Sequence, residues 1–238
     1  MNQYDSSSED RFVAGTFQLL AWGQRNARAL VLTIMAAAIV IFAVRYYLDF
    51  KTKVRQAAAT EMVNLRFQLQ AGTTDQVVEQ LRGYLIQFNG TTYAQEAQVL
   101  LAHTLLQAAR AAEAIEPARQ AMDNLGDDIL SLRAAFLAAA AYEEVGDTTG
   151  AIGIYRQIEQ ATDMRVQRAR ALEAMGLLMA ASGDAAGAAS VYDELVKSAP
   201  EDSPARPFYE MRAAEYRARA SGALASQPAG EEVAEGGM

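Results

Sequence analysis

Residues 139–155 read AAAYEEVGDTTGAIGIY and residues 176–192 read GLLMAASGDAAGAASVY, so one pattern returns after 37 residues. In each stretch a small residue (Ala139, Gly176) stands seven positions before a Gly-Asp pair (Gly146-Asp147, Gly183-Asp184). An alanine and a tyrosine follow at matched positions (Ala151 and Tyr155, Ala188 and Tyr192). Self-similarity at a fixed period is the mark of a repeat architecture. Carried backward, the frame places Leu65 and Ala102 in the small slot and Gly72 and Ala109 in the turn slot. Val77 and Ala114, then Leu81 and Ala118, fill the two slots that follow. Four units therefore share one frame without adjustment.

Each slot has a physical reason. Small residues let two antiparallel helices approach closely. The glycine ends the first helix in a left-handed conformation at low cost. Asp147 and Asp184 can accept from the free N–H groups that open the second helix, and the aromatic packs across the pair. Pro200 stops the helix of the last full unit. Such a hairpin buries its apolar face only against its neighbours, so the units are expected to stack into a right-handed superhelix. Pro117 falls inside the second helix of unit two, where it should kink that helix or delay its start. Pro207 precedes a capping helix running to about Ala220, whose Glu210, Arg212, Glu215, Arg217 and Arg219 suit a solvated face.

Upstream, Ala29 to Val44 (ALVLTIMAAAIVIFAV) is apolar apart from Thr33, and Tyr46, Tyr47 and Leu48 extend the run. About twenty such residues suffice for a helix to cross a bilayer. Trp22, Tyr46 and Tyr47 suit the two interfaces, and Arg45 can reach the headgroups. Basic residues flank both ends (Arg11, Arg25, Arg28; Arg45, Lys51, Lys53, Arg55), so the positive-inside rule leaves the orientation open. Tyr47 to Gln70 contains no glycine or proline, which predicts one helix from the span into the first unit. Before the span, Ser6 and Glu9 stand at capping-box spacing. Phe12, Val13, Phe17 and Leu20 then fall near one face, which fits a short amphipathic helix as well as a partly ordered tail.

Composition narrows the function. The chain has 238 residues, no cysteine, one histidine (His103) and a formal charge of −8. Thiol chemistry and cysteine-based zinc sites are excluded, and His103 alone supports neither a His-based metal cluster nor a Ser-His-Asp triad. From Ala57 onward 14 Lys+Arg face 25 Asp+Glu; the acidity argues against nucleic acid and mainly keeps a helical array soluble, and it could favour basic partners. There is no phosphate-binding glycine loop. Asp127-Asp128 and Glu143-Glu144 read as solvated surface, since adjacent helical residues point in different directions. Asn89-Gly90-Thr91 fits a glycosylation sequon but reads better as an Asn-Gly turn between helices. No cofactor, metal, small-molecule substrate or enzymatic activity is expected.

The slot pattern resembles the tetratricopeptide repeat, best in Ala139-Tyr142-Gly146-Ala151-Tyr155 and in Gly176-Gly183-Ala188-Tyr192-Pro200. The usual period of that repeat is 34, so three extra residues should lengthen each connection or helix. The expected fold is all-α: residues 1–28 a tail with an amphipathic segment, 29–48 a transmembrane helix, 49–220 a tetratricopeptide-like α-solenoid of about four hairpins plus a cap, and 221–238 an acidic tail. Over residues 10–220 the chain resembles the YfgM family, the ancillary subunit of the SecYEG translocon, notably in Arg45-Tyr46-Tyr47 and Thr92-Tyr93-Ala94. That resemblance implies a single-pass protein of the bacterial inner membrane with a periplasmic array that contacts the translocon and periplasmic chaperones. A second reading of the same architecture is a structural accessory subunit of a large respiratory or photosynthetic complex. By the tetratricopeptide resemblance, the first helices should line a groove for an extended peptide or partner loop. Arg66, Val99, His103, Leu106, Arg133, Phe136, Glu143, Arg170, Glu173 and Leu177 are expected on or near that face; the alternative for Leu106, His103 and Phe136 is ordinary packing. The Lys and Asn set that clamps a terminal carboxylate in some such proteins is absent.

Overall fold

The computed structural model describes residues 26–69, 72–123, 125–126 and 128–222. Trp22, the segment from Ser6 to Leu20 and the tail beyond Gly222 lie outside the described residues. Among those described are nine helices and no strand: α1 Ala27–Leu69, α2 Thr74–Gln87, α3 Thr92–Gln107, α4 Ala111–Gln120, α5 Ile129–Glu144, α6 Thr148–Ala161, α7 Arg165–Ala181, α8 Ala185–Ser198 and α9 Arg206–Ala220. The chain forms two compact units, Met1–Ala57 and Ala58–Met238.

In the first unit α1 runs unbroken, as the lack of Gly and Pro predicts. Its large apolar side chains from Val31 to Val44 are exposed by 51% (Val44) to 73% (Phe42). They occupy every side of the helix, so no single stripe is set aside for a protein core. This is the one helix among the described residues long and apolar enough to cross a membrane. Tyr46 and Tyr47 are exposed at its end, and Lys51 Nζ lies 5.7 Å from the Tyr47 ring.

In the second unit the 37-residue period becomes geometry. The second helices begin at Thr74, Ala111, Thr148 and Ala185, and the first helices end at Gln107, Glu144 and Ala181, each 37 residues after the last. Gly146 and Gly183 take φ of 79° and 86°, and Ala109, in the same slot, takes φ of 56°. All three turns close with the same backbone bond: Arg110 N–H to Leu105 O at 2.8 Å, Asp147 N–H to Tyr142 O at 2.9 Å and Asp184 N–H to Met179 O at 2.8 Å. This bond satisfies a carbonyl that the ending helix leaves free. In unit three the connections span only residues 145–147 and 162–164, so the excess over 34 lies in the helices, 16 and 14 residues long there.

The second helices open on one position solved in three ways. Asp147 and Asp184 accept from the N–H of Gly150 (2.9 Å) and Gly187 (2.8 Å). In unit one Gln76 accepts from the Thr73 N–H at 3.1 Å. In unit two Arg110 Nε pairs with Glu113 at 2.7 Å. With a second bond from Arg82, this holds the Glu113 carboxyl down at about 2.

The packed face is built largely of alanine. Ala97, Ala102, Ala114, Ala118, Ala134, Ala138, Ala139, Ala151, Ala171 and Ala188 are all fully buried. Each contributes little apolar area, so close helix approach and the number of contacts carry the stability. Gly176 shows how tight the fit is, because a Cβ there would sit 2.9 Å from Tyr192 Cε2. Tyr192, 1% exposed, packs against Tyr216 (ring centroids 5.5 Å apart) and Tyr209 (6.4 Å), which docks α9 as the cap. At the other end Tyr84 donates to Ala58 O at 2.8 Å, tying α2 to the C-terminal part of α1.

Pro117 does not delay the start of its helix. α4 begins on frame at Ala111 with Pro117 inside it, but ends at Gln120, although α2 and α8 place the frame's end four residues later. The chain leaves the helix early, and a side chain takes up a released carbonyl: Gln95 donates to Ala121 O at 2.9 Å. Pro200 stops α8 as read; Ala199, held extended by the following ring, has ψ of 136°.

Candidate functional site

The first helices α5 and α7 carry equivalent stripes. Ile129, Arg133, Phe136 and Ala140 follow the i, i+4, i+7, i+11 spacing of one helical face, and Val166, Arg170, Glu173 and Leu177 repeat it 37 residues on. Between the helices lies an open concavity of about 380 Å³, lined by Ile129, Leu132, Arg133, Phe136, Leu137, Ala140, Gln167 and Arg170. Ile129 is 75% exposed at the first turn of α5. The Arg170 guanidinium stacks over the Phe136 ring, 4.4 Å from its centroid. Behind it the Phe136 and Tyr155 rings lie 6.2 Å apart, and the Tyr155 hydroxyl donates to Glu143 Oε1 at 2.5 Å. Burial and that carboxylate push the Tyr155 hydroxyl well above its ordinary pKa, so it remains a neutral donor. The floor of the site is therefore fixed, while its arginines stay at the rim.

Of the ten residues expected on the groove, Arg133, Phe136 and Arg170 come together in this concavity. Leu177 is exposed farther along α7. Glu143 stands beside the face and Glu173 within the α7 stripe but outside the lining of the concavity; each accepts a hydrogen bond, Glu143 from the Tyr155 hydroxyl and Glu173 from the Tyr209 hydroxyl. Arg66 lies on α1 and pairs with Glu96 of α3. His103 and Leu106 are half-buried on α3. Val99 is a correction: at 3% exposure it packs with Ala121 and Ala134 under Met122, Leu130 and Leu137, so α5 and the turn after α4 cover the place where a ligand would meet it.

The structure adds Ile129, Leu132, Leu137, Ala140 and Gln167 to the site. Ile129 had a signal, a large aliphatic residue at the first position of a helix directly after Asp128. That aspartate is no idle surface carboxylate: it caps α5, accepting from the Ser131 N–H at 2.9 Å and hydroxyl at 2.6 Å. The Ser131 hydroxyl bond, with the backbone bonds, holds its carboxyl below the usual range. Asn89-Gly90 forms the turn expected of it, with Gly90 at φ 75° and the Thr91 hydroxyl accepting from the Ala94 N–H at 3.1 Å as α3 begins. Among the described residues no group of three or more His, Asp or Glu side chains is placed to hold a metal ion.

Solved structures share this fold. A tetratricopeptide repeat protein from Parabacteroides merdae superposes with a TM-score of 0.51 at 14% identity over 71% of this chain, which spans 62% of that protein's length. The tetratricopeptide-like repeats of a Podosopora anserina protein described as a kinesin light chain superpose equally well, with a TM-score of 0.51 at 17% identity, covering 71% of this chain and 89% of that one. Among curated proteins no sequence matches. The tetratricopeptide repeat-like domain family matches residues 21–216, the apolar run and all four hairpins together, and the chain belongs to that family.

Proposed function

We propose that this protein is a bilayer-anchored scaffold that recruits other proteins through the concavity between α5 and α7. The observation that carries the reading is the concavity itself, where an aromatic, an exposed aliphatic and two arginines are presented on a rigid array of hairpins. Repeat arrays of this kind serve chiefly as extended binding surfaces. The anchor rests on the all-round exposure of the apolar side chains from Val31 to Val44, a surface that water does not tolerate and hydrocarbon does.

The finer reading is an accessory of the Sec translocon in the bacterial inner membrane, with the repeats in the periplasm. It is supported by the YfgM resemblance at Arg45-Tyr46-Tyr47 and Thr92-Tyr93-Ala94, and by a family match that joins the apolar run to the repeats. The test is recovery from native membranes in mild detergent, comparing the natural chain with an Arg133→Ala/Phe136→Ala/Arg170→Ala variant. The proposal expects translocon components or periplasmic chaperones with the natural chain and their loss with the variant. Equal recovery with both would refute the site, and stoichiometric recovery of a respiratory or photosynthetic complex would replace the translocon reading. Because the chain has no cysteine, Thr149→Cys reports the side of the repeats, and labelling only from the cytoplasmic face would refute the periplasmic placement.

A further inference from the structure

The concavity has the opposite charge to the protein around it. The chain carries −8 overall, yet two arginines and no carboxylate line this surface. Several arginines of the repeats are held by acid, Arg66 by Glu96, Arg82 and Arg110 by Glu113 and Arg168 by Glu159, while Arg119, Arg156 and Arg165 have no ion pair among the described residues but do not line this concavity. Among the described residues neither Arg133 nor Arg170 has an ion pair. Three carboxylates on or beside these helices make other bonds, Glu143 and Glu173 accepting from tyrosine hydroxyls and Asp128 from the start of α5. Arg133 and Arg170 stand 37 residues apart, in the same slot of neighbouring units, with Glu96 in that slot of unit two. The solenoid thus sets two cationic groups side by side on adjacent helices, above an apolar floor of Ile129, Leu132 and Phe136.

Resting on the reading of this concavity as a partner-binding site, we propose that its ligand is an acidic, extended segment of another protein. Side-chain carboxylates of that segment meet Arg133 and Arg170, and a neighbouring aliphatic or aromatic side chain packs on Ile129 and Phe136. Charge complementarity selects this class. A basic segment would meet two uncompensated arginines, and a purely apolar one would cover their guanidinium groups without a partner. Arg170, already stacked on Phe136, keeps its N–H edges free for a carboxylate while its face stays on the ring. The dominant negative charge of the rest of the array repels acidic segments from docking elsewhere.

The test uses the full chain in nanodiscs and two fluorescein-labelled peptides, SDELFEDS and its basic counterpart SKKLFKKS, with binding read by fluorescence anisotropy. The acidic probe is expected to bind, the basic probe at least about tenfold more weakly, and the acidic affinity to fall as salt rises. Arg133→Gln/Arg170→Gln is expected to weaken the acidic probe by about tenfold or more, and Arg133→Lys/Arg170→Lys to retain part of the binding. Both arginines are exposed, so these variants fold, and an unchanged circular dichroism melt verifies that. Equal binding of the two probes, no binding of either, or an unaltered affinity in the glutamine variant would overturn the proposal. Loss of natural partners in the Arg133/Phe136/Arg170 variant while the acidic probe fails to bind would sink this inference alone. Retention of those partners would sink the site reading beneath it.

Discussion

Ala109 occupies a slot that glycine fills in the two later units, and substituting Ala109→Gly is expected to stabilise the repeats. The left-handed conformation at φ 56° brings the alanine Cβ toward the following carbonyl, a strain of about 1–2 kcal/mol in an L-residue. Glycine relieves that strain but adds freedom to the unfolded chain, which costs about 0.5–1 kcal/mol. Ala109 is exposed, so no packing is lost. The balance is a gain of about 0.5–1 kcal/mol, or a rise of about 1–4 °C in Tm for a domain of this size. Urea and thermal unfolding of the full chain in detergent, followed by far-ultraviolet circular dichroism, measure it. Gly146→Ala and Gly183→Ala, at φ of 79° and 86°, are the reverse experiment and should each lose about 1 kcal/mol. If Ala109→Gly destabilises the protein while the two alanine substitutions leave it unchanged, left-handed strain does not govern these turns.

Other expectations follow from the packing and the charges. Gly176→Ala forces a Cβ to within 2.9 Å of Tyr192 and should cost about 1–3 kcal/mol by chemical denaturation; a neutral result would mean that α7 and α8 are not held at this distance. Asp147→Ala removes the acceptor of the Gly150 N–H and should cost about 1 kcal/mol, with faster amide exchange at the start of α6. Glu113, held at about 2 first by the Arg110 bond and then by that of Arg82, should titrate near that value by carboxyl NMR, and Arg110→Ala should move its midpoint up toward the ordinary 4.5. Tyr84 and Tyr209 are pushed up to about 12, chiefly by burial, so the folded chain holds their protons more tightly than the unfolded one. The stability they contribute is present below pH 10 and is lost as the pH rises toward 12, with unfolding and ionisation of these two rings appearing together. Ionisation of the Tyr84 and Tyr209 rings near pH 10 with the fold intact, read residue by residue by NMR, would contradict their burial.

The sequence by itself determined the helix count per unit, the 37-residue frame and the turns, because each of these is local chemistry. A glycine at a left-handed turn, an aspartate before free N–H groups and small residues where two helices cross leave the chain few alternatives. It also marked the one apolar run long enough to span a bilayer. Only the tertiary structure decided which side chains on the first helices face outward. Val99 and Phe136 share a slot, yet Val99 lies beneath α5 and the turn after α4, whereas Phe136 opens onto the gap between α5 and α7. Some arginines are held locally, as Arg110 by Glu113, but others depend on carboxylates that neighbouring units bring within reach from about 30 residues away, as Arg66 with Glu96 and Arg82 with Glu113. Burial and charge pairing are properties of distances across the stack, and a linear pattern specifies those only once the helices are packed.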